Sequence, residues 1–554
     1  MKKKCKTSTL KSNKSVDDGR PTSQPTIKSA FQKQELWPPT NAQAIQLTNQ
    51  IGKFIVAGFH PYSIVEEAEF KGLMKLTSPR YQVPSRTTFS RSVIPKMHEA
   101  LTKKIKNELR SFNDLQSWSF TTDGWTSKKH DGYMSLTFHC LTDNFELKSY
   151  CLALKQLTVQ HTGANLCKGI KDTIQEWEIE SLIGVNKIPI YAVTDGAYNM
   201  RSAISQWKQW THIDCFGHVL QLCVEDAIKA TVPVSHLMAK CRTIVGHYTR
   251  SSVANARLRS EQENLGQKPL ELIQDVPTRW NSQYFMLERL VRCRNAINLE
   301  LGRSNTQINT LKGNEWALAE SVLKVFEPLV EATSFSSGET YPTISSILPM
   351  MFGIEKVLVD IDEKDGSTEF GEAVRRSLRT RFGPLESNPL YLISTLVDPK
   401  YKLAGLNPEL HLRAQTHLNK ELRDNQQSTP SQIDTPSEET APSNSRSIFR
   451  YLEEGPEILS QSTDDEIDIE VKMYLKSPKI KQNECSLSWW NRNKYLFPKI
   501  ARVALKYLGI PATSVPSERL FSSAGNTITS RRRELLPAHA EQLVILHDNI
   551  KLVS

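Results

Sequence analysis

The chain has 554 residues, 39% of them hydrophobic, and a formal net charge of +10. That length exceeds what one core supports and predicts roughly two to four folded units. No apolar run approaches the about eighteen residues of a membrane span, and the Lys-rich start lacks the apolar segment of a signal peptide, so an intracellular protein with no membrane partner is expected.

Residues 1–39 read as a disordered basic tail. Its first 35 residues hold nine Lys or Arg against three acids, which supplies six of the ten net charges. The Lys2-Lys3-Lys4 cluster fits a DNA contact, a nuclear address or simply a solvated chain start. Residues 40–112 turn helical, with Ala44, Leu47, Ile51, Phe54 and Ile55, then Val93, Met97, Leu101, Ile105 and Leu109, mostly three or four apart. A small all-helical N-terminal module is predicted there.

From 113 to 239 the period changes. Strands are predicted over Trp118–Thr122, Tyr133–Cys140 and Leu147–Leu154, the last two joined at Thr142-Asp143-Asn144, followed by a helix through Leu166, Ile170 and Ile174. A strand from Ile188 to Val193 ends at Asp195, and Ile213–Cys215 leads into a helix near Val219–Ala227. With a helix between Asp195 and Ile213 the order is β-β-β-α-β-α-β-α. Residues 240–490 read mainly as helices, interrupted by a Ser/Thr/Pro/Gln-rich linker at 425–446 and by an acidic patch (Asp464, Asp465, Glu466, Asp468, Glu470), both expected to be exposed and mobile. Residues 491–554 look ordered again, with helices over Tyr495–Leu508, Pro516–Ala524 and Pro537–Leu552.

Three acids stand out within this layout. Asp123 and Asp195 close strand-like runs, and Glu518 opens a C-terminal helix, so one carboxylate cluster can be assembled from distant parts of the chain. Such clusters suit divalent ions that prefer oxygen ligands. The same residues also have plainer readings: Asp-Gly is a common turn, and a Glu after Pro516 and Ser517 complements a helix N-terminus. Cys215 and His218 have the spacing of half a zinc site, but no second pair follows, and none of the nine cysteines forms a Cys-x-x-Cys pair, so no zinc site is evident.

Six ordered motifs carry a family resemblance. They are Thr122-Asp123-Gly124-Trp125-Thr126-Ser127, Thr194-Asp195-Gly196-Ala197-Tyr198-Asn199-Met200, Cys215-Phe216-Gly217-His218, Asp275-Val276-Pro277-Thr278-Arg279-Trp280-Asn281-Ser282, Leu396-Val397-Asp398-Pro399-Lys400-Tyr401 and Pro516-Ser517-Glu518-Arg519-Leu520-Phe521-Ser522. From about Ile27 onward the chain resembles the hAT superfamily of DNA transposases and the host proteins derived from them, most closely the branch with BED-type zinc fingers. That branch reads DNA with a finger of paired Cys and paired His, and before Thr40 only Cys5 stands, without a His.

The resemblance implies an α/β fold: a ribonuclease-H-like mixed sheet core (113–239) interrupted by a large all-α insertion domain (240–490) and completed by 491–554, which holds the family's dimerisation region. It implies Asp123, Asp195 and Glu518 as catalytic ligands of Mg²⁺ or Mn²⁺, and DNA contacts by His218, by Arg279 and Trp280, and by Arg531, Arg532 and Arg533. An extruded base can stack on an aromatic plane while a guanidinium holds phosphate. Leu520, Phe521, Leu543 and Leu546 are core residues by default and dimer residues if exposed. The implied function is metal-dependent DNA strand cleavage and transfer in the nucleus, with DNA and a second copy as partners and no small-molecule substrate. Two alternatives stay open: a host-adopted, catalytically inactive DNA- or chromatin-binding dimer acting in transcription regulation, and a nuclease acting without transposition.

Overall fold

A computed structural model describes residues 36–112, 115–127, 130–180, 188–276, 279–304, 306–427, 463–527 and 536–553. The linker expected at 425–446 therefore lies, from 428 onward, outside the described residues, as do Lys2-Lys3-Lys4 and Arg531, Arg532 and Arg533. Contacts divide the chain into two compact units, one up to Val93 and one from Ile94 to the end.

The first unit is helical. Asn41 starts the helix Ala42–Ala57, its side chain accepting from the Gln43 and Ala44 N–H groups at 2.9 and 3.3 Å, which satisfies donors that the helix itself cannot. Ile51, Ile55 and Val56 from that helix are buried, as are Val65 and Phe89 from the short helical turns at Tyr62–Glu66 and Phe89–Val93.

The second unit is built on a five-stranded mixed sheet: β1 (Trp118–Thr126), β2 (Gly132–Leu141), β3 (Leu147–Leu157), β4 (Ile190–Thr194) and β5 (Trp210–Asp214), in spatial order β3-β2-β1-β4-β5. β1, β2 and β3 form an antiparallel meander, and β4 and β5 add in parallel beside β1. Helices Gly163–Glu176 and Tyr198–Ile204 supply the connections that parallel pairing requires. The predicted order of elements holds; β1, β2 and β3 run longer than expected, while β4 begins at Ile190 rather than Ile188. β5 begins at Trp210 rather than Ile213 because Trp210 stacks on Phe120 of β1, ring centres 5.3 Å apart.

Side chains alternate along β1. Trp118 and Phe120 meet Phe138, while Thr121 on the other face lies opposite Thr137 and bonds to it. Asp123 and Trp125 share the Thr121 face. Between the end of β5 and the last helices the chain is helical, including Phe216–Ala230, Val232–Arg250, Trp280–Arg292, Gly313–Ser336 and Ile347–Asp365. No helix among the described residues is long and apolar enough to cross a membrane.

The acidic patch is ordered, contrary to expectation. Thr463–Lys476 is a helix because Ile467, Val471 and Tyr474 recur at helical spacing and are buried. Glu470 turns inward, where its carboxylate accepts the Ile500 N–H at 2.8 Å near the start of helix Pro498–Tyr507. Net acidity hid a one-sided apolar stripe.

The last helix, Pro537–Asp548, packs on β3 and on the helix Ile94–Ser111. Just beyond it, Asn549 pairs with the backbone of Cys151 as a strand would, accepting its N–H at 3.3 Å and donating to its C=O at 3.0 Å. Burial, opposed by Lys155 and reinforced by Glu176, pushes the Glu541 carboxyl on this helix up to about 7. In the unfolded chain it ionises near the ordinary value, about 4.3, so stability falls as pH rises from there to about 7. Glu541→Gln is expected to melt with the native protein at pH 4 and above it at pH 8, measured by Tm; an equal difference at both pH values would refute this.

Candidate active site

Strand alternation and pairing place the first two acids. β1 and β4 pair in parallel up to Thr121 and Val193, and Asp123 and Asp195 each lie two positions further on. Asp123 is buried, 7% exposed, and accepts the Gly124 N–H at 2.7 Å. Asp195 is half-buried and accepts the Ala197 N–H at 3.0 Å, a turn that Gly196 permits at φ +77°. A Cβ at Gly196 would come within 2.7 Å of Asp214 Oδ1, so this Asp-Gly step tolerates no larger second residue without rearrangement.

Glu518 arrives on the helix Val515–Thr527, which lies on the Thr121 face of β1. The Ser517 hydroxyl shares a hydrogen bond with Thr121 at 2.7 Å, and Phe521 stacks on Trp125 with ring centres 5.8 Å apart. Upstream, Phe216 N–H donates to Ala512 C=O at 2.9 Å and Ser514 N–H to Cys215 Sγ at 3.3 Å, which ties the Glu518 helix to the helix carrying His218. Thr343 Oγ1 accepts the Ala512 N–H at 2.9 Å, and Arg519 donates to Ser337 C=O at 2.9 Å. Residues 337–343 thus brace the segment that delivers Glu518.

Sequence reasoning passed over Ser517, although it stands inside a quoted motif; the signal was a hydroxyl next to the acid, facing a strand rich in Ser and Thr. Ser517→Ala removes the Thr121 bond while Thr121 keeps Thr137. A loss of about 1 kcal/mol in stability is expected from chemical unfolding, and no loss would show that the Glu518 helix holds without this anchor.

Charge interactions link the groups that the chain brings together. Burial pushes the Asp123 carboxyl up to about 7, with Asp195 and Glu518 adding to the rise and His218 opposing it. Burial works against a charged His218 imidazole, yet the Cys215 sulfur and then the Glu518 and Asp123 carboxylates carry it up to about 9. His218 Nδ1 is 3.9 Å from Glu518 Oε1. Among the described residues, the group of three whose ligand atoms all lie within 4.8 Å of one another is Cys215, His218 and Glu518; Asp123 and Asp195 are not part of it.

Other expected residues fall elsewhere. Trp280 is 3% exposed, its ring against Phe326 and its backbone N–H donating to Gln221 Oε1 at 2.6 Å; such a ring has no free face to offer a base in this conformation. Arg279 beside it is exposed. Leu520, Phe521, Leu543 and Leu546 are at most 7% exposed within the single chain. They are core residues in the single chain, as the default reading has them, covered by the sheet and its neighbouring helices.

Three family matches follow this architecture. Residues 121–209 match the ZBED1 RNase-like domain, 213–325 the ZBED1 RNase-like helical domain, and 470–550 the hAT family C-terminal dimerisation region. The chain belongs to the hAT superfamily of transposases and transposase-derived proteins. It is 25% identical over 525 residues to zinc finger BED domain-containing protein 4 of Homo sapiens, covering 92% of this chain and 44% of that protein. It is 24% identical over 559 residues to zinc finger BED domain-containing protein 6 of Mus musculus (93% and 56%) and over 530 residues to the putative AC transposase of Zea mays (89% and 64%). The chain spans about half the length of the curated relatives it matches.

Proposed function

We propose that this protein is a nuclear, self-associating hAT-type transposase that cleaves and transfers DNA strands with Mg²⁺ or Mn²⁺, on a ribonuclease-H-like core split by a helical insertion. The observation that carries this reading is the placement of Asp123 and Asp195 two positions beyond the paired ends of β1 and β4, with the Glu518 helix anchored on the Thr121 face of β1 through Ser517. Asp195 and Glu518, from distant segments, add to the rise that burial causes at the Asp123 carboxyl, and a hard cation relieves that cost. Their all-oxygen donor set fits such an ion. The strand order β3-β2-β1-β4-β5, with its antiparallel meander beside parallel strands, supports the core assignment.

When bound, the ion supplies polarisation of an attacking oxygen and stabilisation of the leaving one. The chain's own groups do the rest. The Gly124 N–H orients Asp123, the Ala197 N–H orients Asp195, and the Ser517 anchor sets Glu518. His218, carried up to about 9, is cationic at neutral pH and suited to a phosphate beside these acids. Exposed Arg279 offers a further phosphate contact. Self-association rests on the match to the hAT dimerisation region.

The test is nicking and strand transfer on inverted-repeat DNA, with Mn²⁺ present. Metal-dependent nicks at the repeat ends are expected. DNA occupancy without cleavage, unchanged by substitution of the acids, would instead identify a non-catalytic regulator.

A further inference from the structure

We infer that Cys215, His218 and Glu518 form a second cation site, selective for a soft divalent ion such as Zn²⁺, which shares Glu518 with the proposed catalytic acids. The regulatory part of this inference rests on the catalytic reading above; the binding part does not. Cys215 caps the start of helix Phe216–Ala230, and His218 follows three positions later, so both side chains lie on one face of its first turn. Glu518 enters from the start of helix Val515–Thr527. The two helix starts are tied by the Phe216–Ala512 and Ser514–Cys215 hydrogen bonds, so the three donors are brought together before any ion arrives.

The donors have the character of a zinc set. Sulfur, imidazole nitrogen and carboxylate oxygen are ligands that Zn²⁺ accepts, whereas Mg²⁺ and Mn²⁺ favour oxygen alone. His218 Nδ1 is shielded from solvent and makes no hydrogen bond; at 3.9 Å from Glu518 Oε1 it is too far for one. Nitrogen and oxygen bound to one tetrahedral Zn²⁺ stand about 3.3 Å apart, so an ion between them asks for a closure of only about half an ångström. Three protein ligands leave the fourth position open, the arrangement of zinc sites that exchange a water or a ligand. An ion held here engages Glu518 and draws it from Asp123 and Asp195. Zinc is thereby expected to inhibit Mn²⁺-dependent cleavage by competing for one shared carboxylate.

Co²⁺ tests the site optically, without reference to catalysis. Titrated into the purified full chain, it is expected to give a thiolate-to-Co²⁺ charge-transfer band together with tetrahedral ligand-field bands, and Zn²⁺ should bleach both. Cys215→Ser should abolish the charge-transfer band, while Cys485→Ser, which alters an exposed thiol, should leave it intact. Because Cys215 is buried, Glu518→Gln provides a second variant on a half-buried residue and should weaken Co²⁺ binding at least about tenfold. Absence of the band, its survival in Cys215→Ser, or unchanged affinity in Glu518→Gln would overturn the site. Nicking without a sulfur band would leave the catalytic reading standing and remove this one; a sulfur band without nicking would do the reverse. Zn²⁺ inhibition that persists in Cys215→Ser would break the link between the two.

Discussion

Asp123→Asn and Glu518→Gln are each expected to lower Mn²⁺- or Mg²⁺-dependent nicking by at least about 10³-fold, equivalent to about 4 kcal/mol of transition-state stabilisation. Both substitutions keep size and remove charge, so the loss should appear in the rate while DNA binding persists. Asp123 carries a second, opposite effect. Its carboxyl titrates at about 7 in the folded metal-free protein and near 3.9 when unfolded. The unfolded chain therefore ionises first, and stability falls as pH climbs through that window. Asp123→Asn escapes the penalty: without metal it should melt above the native protein at pH 8 and with it at pH 3.5. Adding Mn²⁺ at pH 8 should raise the Tm of the native protein and leave the variant unmoved. A variant that cuts normally, or one that gains nothing at pH 8, would count against the proposed site.

The second large effect lies in the helical region. Asp398, in the Leu396-Val397-Asp398-Pro399 motif, is 1% exposed and accepts from Ser345 Oγ at 2.7 Å, Ser486 Oγ at 2.7 Å and Lys400 N–H at 3.0 Å. Burial raises its carboxyl above the ordinary range despite these donors. Beside it, the Trp490 indole N–H donates to Val397 C=O at 2.9 Å. Asp398→Ala strands three donors in a dry interior, and a loss of about 3 kcal/mol or more is expected in calorimetric or chemical unfolding. Asp398→Asn keeps an acceptor and should lose about half as much. Ser345 stands two residues from Thr343, which braces Ala512, so the Ala variant should also cut DNA more slowly. A loss below about 1 kcal/mol for Asp398→Ala would show that the pocket relaxes around the missing carboxyl.

The sheet was readable because its strands alternate, although Asp123-Gly124 lies within β1, which runs on to Thr126, and only β4 ends on an Asp-Gly turn; the Glu518 helix was readable because Pro516 and Ser517 announce it. Ligand order around the acids was not. Cys215 looked like half of an incomplete finger, since its partner Glu518 lies some three hundred positions away and belongs to no zinc spacing. Trp280 and the Leu543 stripe were ambiguous for a shared reason: an apolar side chain looks the same in sequence whether the surface that covers it is a nucleobase, a second copy or the chain's own sheet. The acidic helix failed because charge was weighed and the phase of Ile467, Val471 and Tyr474 was not.

The Thr121–Ser517 hydrogen bond joins residues 396 positions apart, and that span has a kinetic consequence. Closing so long a loop is entropically slow and must await synthesis of the segment that closes it. A nascent chain therefore carries Asp123 and Asp195 through most of its translation without Glu518. The proposed acid cluster is thus assembled only when the Glu518 helix docks onto β1.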